Sequence, residues 1–202
     1  ELPSRTILVT FSAYHLMGLD ANTGQLLWTH EQDNLPPGER KIGFGDTHAN
    51  TVLYDRGAIY YAAGDGNCGV KLELSEDGTS IREAWRNPGF DSFMGGIIKI
   101  GDYLYGASAS RRLLGSVHAV TGETVDSLDI DTGALIAAGN RLYYYNWKGE
   151  MHLVAFREGQ LEQVSSFRII KGTREHFSHP VIHDGILYQR RGNVLSAYSI
   201  EA

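Results

Sequence analysis

This chain of 202 residues carries a single cysteine, Cys68, so no internal disulfide can form and neither an oxidising nor a reducing compartment is demanded. Cys68 stands beside Gly69 and reads as a small buried residue. No window approaches the ~20 consecutive apolar residues of a transmembrane helix. The opening, Glu1-Leu-Pro-Ser4, has neither a Met nor a signal-peptide core, as expected of a mature form or an excerpt. Lys and Arg form no run and the formal net charge is −6, so the cationic footprint that nucleic acid requires is missing. There is no Gly-x-Ser-x-Gly elbow or phosphate-binding Gly loop, and His30-Glu31 is not followed by the second His of a helical metalloprotease, so hydrolytic catalysis has no support.

What is present is glycine and tyrosine: 24 Gly and 11 Tyr against 5 Pro, in a chain that is 42% hydrophobic and 21% charged. That composition suits many short strands with tight turns. The length suffices for a real core, with roughly 70% of the unfolded chain's surface buried. One pattern recurs: an apolar segment, a Gly/Asp/Asn turn, then an apolar pair ending in Tyr. Copies run over Thr51–Tyr60, Gly96–Tyr105, Ala134–Tyr143 and Pro180–Tyr188, so the landmark tyrosines lie 45, 38 and 45 residues apart. About 40 to 45 residues is the period of a four-stranded propeller blade. Each of the first three copies continues into a third and a fourth strand. Thr6–Glu31 supplies only the second, third and fourth strands of a blade, and Ser178–Ser199 only the first three.

The sharpest local signal is Gly18-Leu-Asp-Ala-Asn-Thr-Gly-Gln-Leu-Leu-Trp28, a hairpin in which Asp20 and Asn22 can bond their own backbone and Gly24 tolerates positive φ. It resembles the tryptophan-docking motif of quinoprotein-type propellers, Ala-x-Asp-x-x-Thr-Gly-x-x-x-Trp, with Gly18 where the family has Ala. The resemblance implies that Asp20, Thr23, Gly24 and Trp28 are structural, the indole packing between adjacent blades. Other copies are degenerate: Thr121-Gly122 survives with His118 at the Asp position and Asp126 at the Trp position, Asp77-Gly78 reaches Trp85 through a longer interval, and Arg157-Glu-Gly159 keeps only a turn.

The expected fold is therefore all-β: three complete four-stranded antiparallel blades (about 48–88, 93–130 and 132–170) and two partial ones (1–32 and 177–202). A ring of five would lack two strands, so the chain is read as a single propeller domain or part of one, the larger ring having about seven or eight blades.

In dehydrogenases of this type, pyrroloquinoline quinone and Ca²⁺ sit in an axial funnel beside an adjacent-cysteine disulfide and an Asp base. No adjacent cysteine pair exists here, and Asp126, Asp129 and Asp131 lack the remaining ligands of a Ca²⁺ loop, so they are read as a solvated turn. His176, His179 and His183 do not make a ready tetrahedral set, because alternation sends His176 to the opposite face; they are read as structural or surface residues without a metal. In Tyr143-Tyr-Tyr-Asn-Trp-Lys148, alternation puts Tyr143 and Tyr145 on one face and Tyr144 on the other, half of the run being core.

A site in such a fold would lie where the innermost strands enter the central channel, which nominates Asp46, His48, Asn50, Met94, Arg174, His176 and His179. Two readings follow. In the first, the chain is a noncatalytic binding or scaffold propeller, akin to the repeat domains of envelope assembly, docking a protein or small ligand at channel mouth or rim without a cofactor. In the second, it is part of a quinone-dependent dehydrogenase using pyrroloquinoline quinone with Ca²⁺. The family resemblance implies an extracytoplasmic, periplasmic or envelope-associated setting.

Overall fold

The computed structural model describes residues 1–12, 14–31, 49–64 and 67–200. Among these residues eighteen strands form five antiparallel sheets, each built from strands consecutive in the chain. Sheet 1 holds β1 (Ile7–Phe11), β2 (His15–Asp20) and β3 (Leu26–Glu31). Sheet 2 holds β4 (Leu53–Asp55), β5 (Ala58–Ala62), β6 (Gly69–Leu74) and β7 (Ile81–Asn87). Sheet 3 holds β8 (Ile97–Ile100), β9 (Tyr103–Ser108), β10 (Leu113–His118) and β11 (Thr124–Leu128). Sheet 4 holds β12 (Gly133–Ala138), β13 (Arg141–Asn146), β14 (Glu150–Arg157) and β15 (Gln160–Arg168). Sheet 5 holds β16 (Val181–His183), β17 (Ile186–Arg191) and β18 (Val194–Ser199). The all-β meander expected from the repeats is present, and no helix occurs among the described residues.

Alternation along each strand explains how the sheets stack. Successive side chains leave a strand on opposite faces, so Tyr60 joins the apolar layer between sheets 2 and 3 while Tyr61 joins the layer between sheets 1 and 2. Tyr144 and Tyr145 likewise part company, into the layers between sheets 3 and 4 and between sheets 4 and 5. Four apolar layers thus join five sheets. Because neighbours cover both faces of a middle sheet, Tyr144 and Tyr145 are both fully buried, and with Asn146 they make half of the run from Tyr143 to Lys148 buried, as expected. Strand β5 is buried along its whole length. In β1 and β18, by contrast, every second residue is exposed, because among the described residues sheets 1 and 5 each have a neighbouring sheet on one face only.

Antiparallel pairing also fixes two ends. The inner strands β4, β8, β12 and β16 start at one end, the entry end, together with the loops joining the second and third strands of sheets 2 to 5. The tight turns after the first and third strands of those sheets lie at the other, exit end, as does the β2–β3 turn of sheet 1, whose Trp28 reaches the β6–β7 turn.

Candidate functional site

The Trp28 hairpin sits at the exit end and is built as its residues require. Asp20 Oδ1 accepts from the Asn22 and Thr23 N–H groups at 3.0 Å each and from the Thr23 hydroxyl at 3.1 Å. The Thr23 backbone bond leads in lowering the Asp20 pKa from its ordinary value, against a small burial penalty. Gly24 takes φ +73°, a left-handed conformation that favours glycine. Trp28 is 7% exposed and packs with Ile59, Val70 and Leu72 of sheet 2, its indole N–H donating to the Gly78 carbonyl at 3.1 Å. Gly18 lies directly opposite Trp28 in the register, and a Cβ there would run into the indole ring. The departure from Ala at this position therefore follows from how the indole lies.

The degenerate copies hold the next junctions. Trp85, despite its longer interval, donates its indole N–H to the Ala119 carbonyl of sheet 3 at 3.0 Å. At the following junction Asp126 occupies the Trp position and accepts from the Leu161 N–H of sheet 4 at 2.7 Å. The reading of Asp126, Asp129 and Asp131 as a solvated turn holds for Asp129, which is exposed, and is corrected for Asp126 and Asp131. Asp126 is half-buried and bonded across the junction, and Asp131 is 4% exposed. Burial opposes Asp131's ionisation, but Arg112 (2.9 Å), the Thr132 N–H and Lys148 (3.0 Å) outweigh it and hold the carboxyl at about 2.

At the entry end the residues nominated for a channel mouth fall into place as follows. Asp46 and His48 lie outside the described residues. Asn50 is buried and fully committed to backbone: its amide donates to the Ala62 and Ser92 carbonyls at 3.0 and 2.7 Å, and its oxygen accepts from the Gly96 N–H at 2.9 Å. His179 donates from Nε2 to the Met94 carbonyl at 2.9 Å, a bond from the entrance of sheet 5 to that of sheet 3 across the inner edge of sheet 4. Nδ1 of His176 is hydrogen-bonded to the Tyr145 hydroxyl, and its ring covers Gly149. Burial leads in lowering the His176 pKa and raises Tyr145 to about 12, so both groups are neutral at pH 7. Arg174 is exposed, with φ +66°, and its carbonyl accepts from the Arg191 guanidinium at 3.3 Å. Met94, Asn50, His176 and His179 are thus brought to one region. His183 lies at the exit end, 76% exposed, away from the other two histidines.

Sequence reasoning missed what faces outward there. Phe93, Trp147 and Phe177 come from the entry loops of sheets 3, 4 and 5 and pack edge to face, with ring centroids 5.9 and 5.0 Å apart. Phe177 is 44% exposed, and Ile170 in the same loop 77%. The available signal was positional: each aromatic sits in an entry loop of a consecutive repeat. Beside this ridge, a polar cleft of about 400 Å³ is lined by Arg111, Arg112, Asp131, Lys148, Glu150 and His152.

A second polar chain lies between sheets 1 and 2. The Tyr61 hydroxyl meets His30 Nδ1 at 2.9 Å, His30 donates from Nε2 to Glu83 at 2.6 Å, and Arg86 holds Glu83 at 2.8 Å and Cys68 Sγ at 3.1 Å. Burial outweighs the Glu83 partner and lowers the His30 pKa. Cys68 is fully buried, at 0% exposure.

The buried acids among the described residues are Asp91 and Asp131; Asp91 is engaged by the Ser108 hydroxyl at 2.6 Å and the Ser110 N–H at 3.0 Å, and Asp131 by two cations. The single cysteine leaves no adjacent pair.

Comparison with known proteins accords with this architecture. No curated protein matches the chain. Among solved structures, BamB from Moraxella catarrhalis superposes with a TM-score of 0.68 at 16% identity, over 96% of this chain and 53% of that one. A putative 6-phosphogluconolactonase from Bacteroides uniformis gives 0.63 at 10% identity, over 95% and 65%. Dihydro-heme d1 dehydrogenase NirN gives 0.62 at 11%, over 97% and 43%. At these identities the likeness is one of fold, and the chain spans about half the length of BamB. The family model for outer membrane protein assembly factor BamB matches residues 2–128, well over half of the sequence, and the chain belongs to that family of quinoprotein-like repeat β-propellers.

Proposed function

We propose that this chain is a noncatalytic docking propeller, part of a larger ring in an envelope-associated, extracytoplasmic protein, and that the entry end of sheets 3 to 5 is its docking surface for a polypeptide partner. One observation carries the reading. Among the described residues the polar groups best placed for chemistry at the mouth, Asn50, His176 and His179, bond to the protein itself, and what faces outward beside them is an aromatic ridge with more cations than acids around it. Catalysis needs a base or nucleophile within reach of substrate. Docking needs rigid, partly exposed aromatic anchors with Arg nearby.

The surface is also preformed. Arg191 holds the 169–180 loop through the Ile170 and Arg174 carbonyls at 3.2 and 3.3 Å, and Gln189 holds it through the Ser178 carbonyl at 3.1 Å. Ordering costs at an interface fall when a loop is held in advance. The family's BamB members, named for outer membrane protein assembly, support both the docking role and the envelope setting.

The test is site-specific photocrosslinking in cells with p-benzoylphenylalanine in the full-length protein. Placed at Phe177 it is expected to give one discrete protein adduct, and placed at Asn140, at the exit end, none. Absence of an adduct at Phe177, or the same adduct from Asn140, overturns the reading.

A further inference from the structure

The two ends of the sheets differ in charge. At the exit end Asp20, Asp55, Asp77, Asp102, Glu158 and Asp184 each sit at a different turn. Cations stand among them, namely Arg5, Arg56, Arg82, Lys99, Arg141 and Arg157, with Arg5 3.7 Å from Asp20 and Arg56 and Lys99 3.3 and 2.7 Å from Asp55, but Glu76 and Glu123 add to the acids and leave this end net negative. At the entry end of sheets 3 to 5 the order reverses. Arg111, Arg112, Lys148, Lys171, Arg174 and Arg190 are all exposed. The acids there are Asp91, Asp129, Asp131, Glu150 and Glu175; Asp91 is buried and bonded to Ser108 and Ser110, and Asp131 is buried beneath Arg112 and Lys148, two cations on one carboxylate. A chain of net charge −6 therefore concentrates positive charge at the one end where it also exposes an aromatic ridge.

The two features interleave. Lys148 follows Trp147 in the same short loop, and Arg174 precedes Phe177 in the loop that Arg191 fixes. An occupant lying along the ridge would set apolar side chains against Trp147, Phe177 and Ile170 while its flanks meet Lys148, Arg112 and Arg174. Aromatic and Arg anchors supply most of an interface's binding energy. Complementary charge sets which partner is captured and how fast.

Building on the docking reading, we infer that the entry end of sheets 3 to 5 binds an acidic polypeptide segment carrying at least one aromatic or large aliphatic anchor. Its carboxylates meet Arg112, Lys148 and Arg174, and its anchor meets the Trp147–Phe177 ridge. A basic segment is repelled here.

The experiment uses a displayed library of random 12-residue peptides, selected in parallel on the full-length protein and on its Lys148→Glu/Arg174→Glu variant. Both positions are exposed, and near-UV circular dichroism checks that the variant is folded. Expected is enrichment of acidic, aromatic-containing peptides whose affinity falls about ten-fold or more on the variant and on adding salt, and falls similarly with Phe177→Ala. Enrichment without negative charge, no enrichment at all, or acidic peptides that bind the variant equally well overturns the inference. Charge-dependent binding to phosphatidylglycerol vesicles with no peptide enrichment overturns it in favour of a lipid surface. A discrete protein adduct at Phe177 with any of these failures leaves docking standing and removes only the acidic partner.

Discussion

Asp126 stands in the place of a tryptophan and does the same work with a different chemistry. Its carboxylate accepts the Leu161 N–H at 2.7 Å across the junction between sheets 3 and 4, where Trp28 and Trp85 lay an indole and donate to a carbonyl. Bonds to charged groups contribute about 1.5 to 3 kcal/mol, and a half-buried one falls at the lower end. Asp126→Ala should therefore cost about 1 to 2 kcal/mol in urea unfolding, and Asp126→Asn, which keeps an acceptor, less than half of that. Equal losses would mean that charge rather than the bond holds this junction.

Trp28→Ala should be the most damaging single change at sheet 1, at about 3 to 5 kcal/mol, because it empties the layer that the indole fills. Equilibrium denaturation measures it, and a loss below about 1 kcal/mol would contradict the indole's burial.

Gly18→Ala should cost about 1 to 3 kcal/mol through overpacking against the indole. In a Trp28→Phe background the smaller ring gives way, so the same change should cost at least about 0.5 kcal/mol less. A double-mutant cycle by urea unfolding reads the difference, and additivity would show that the two residues do not meet.

Acid should act in two windows. His30, His152 and His176 have pKa values lowered chiefly by burial, so the folded state prefers them neutral. Their contribution is complete above the ordinary value of 6.5 and declines as pH falls below it. Asp77, held by the Ser75 hydroxyl and by Thr79, and Asp131 are both at about 2, so their contribution is present above 3.8 and is lost between 3.8 and about 2. Urea midpoints from pH 8 to pH 2 should fall in these two steps. His30→Gln should flatten part of the upper step and leave the lower one unchanged.

Titration with pyrroloquinoline quinone and Ca²⁺ should give no submicromolar binding and no dye-linked alcohol oxidation. The described buried acids already have partners, and a single cysteine provides no pair. Calorimetry that detects tight binding would reinstate the dehydrogenase reading.

The sheets were legible in the sequence because each repeats one local instruction. Gly101-Asp102 and Gly185 with Asp184 specify turns, and the apolar pairs before Tyr105 and Tyr188 specify which strand follows. The site was legible only in outline. Asn50 and His179 could be placed near a mouth, but whether they face a ligand or a backbone carbonyl depends on partners 12 and 85 residues away. The role of Asp131 was hidden for the same reason: Arg112 and Lys148 reach it from two different sheets, and nothing local in Asp129-Ile-Asp131 marks it for burial.

The apolar layers join only consecutive sheets, and this gives the molecule a direction of opening. Among the described residues, sheets 2, 3 and 4 lie between two layers, whereas sheets 1 and 5 are held by one each. In these 202 residues taken alone, amide hydrogens of β5, β9 and β13 should therefore be the last to exchange with solvent, and those of β1 and β18 the first, with protection graded along the stack. The entry loops of sheets 3 to 5 span that gradient: Phe93 rests on a strand held from both sides, and Phe177 on a sheet held from one. A partner lying across both would fasten the looser sheet to the firmer, so that occupancy would appear as slowed exchange in β16 to β18, far from any residue it touches in sheet 3.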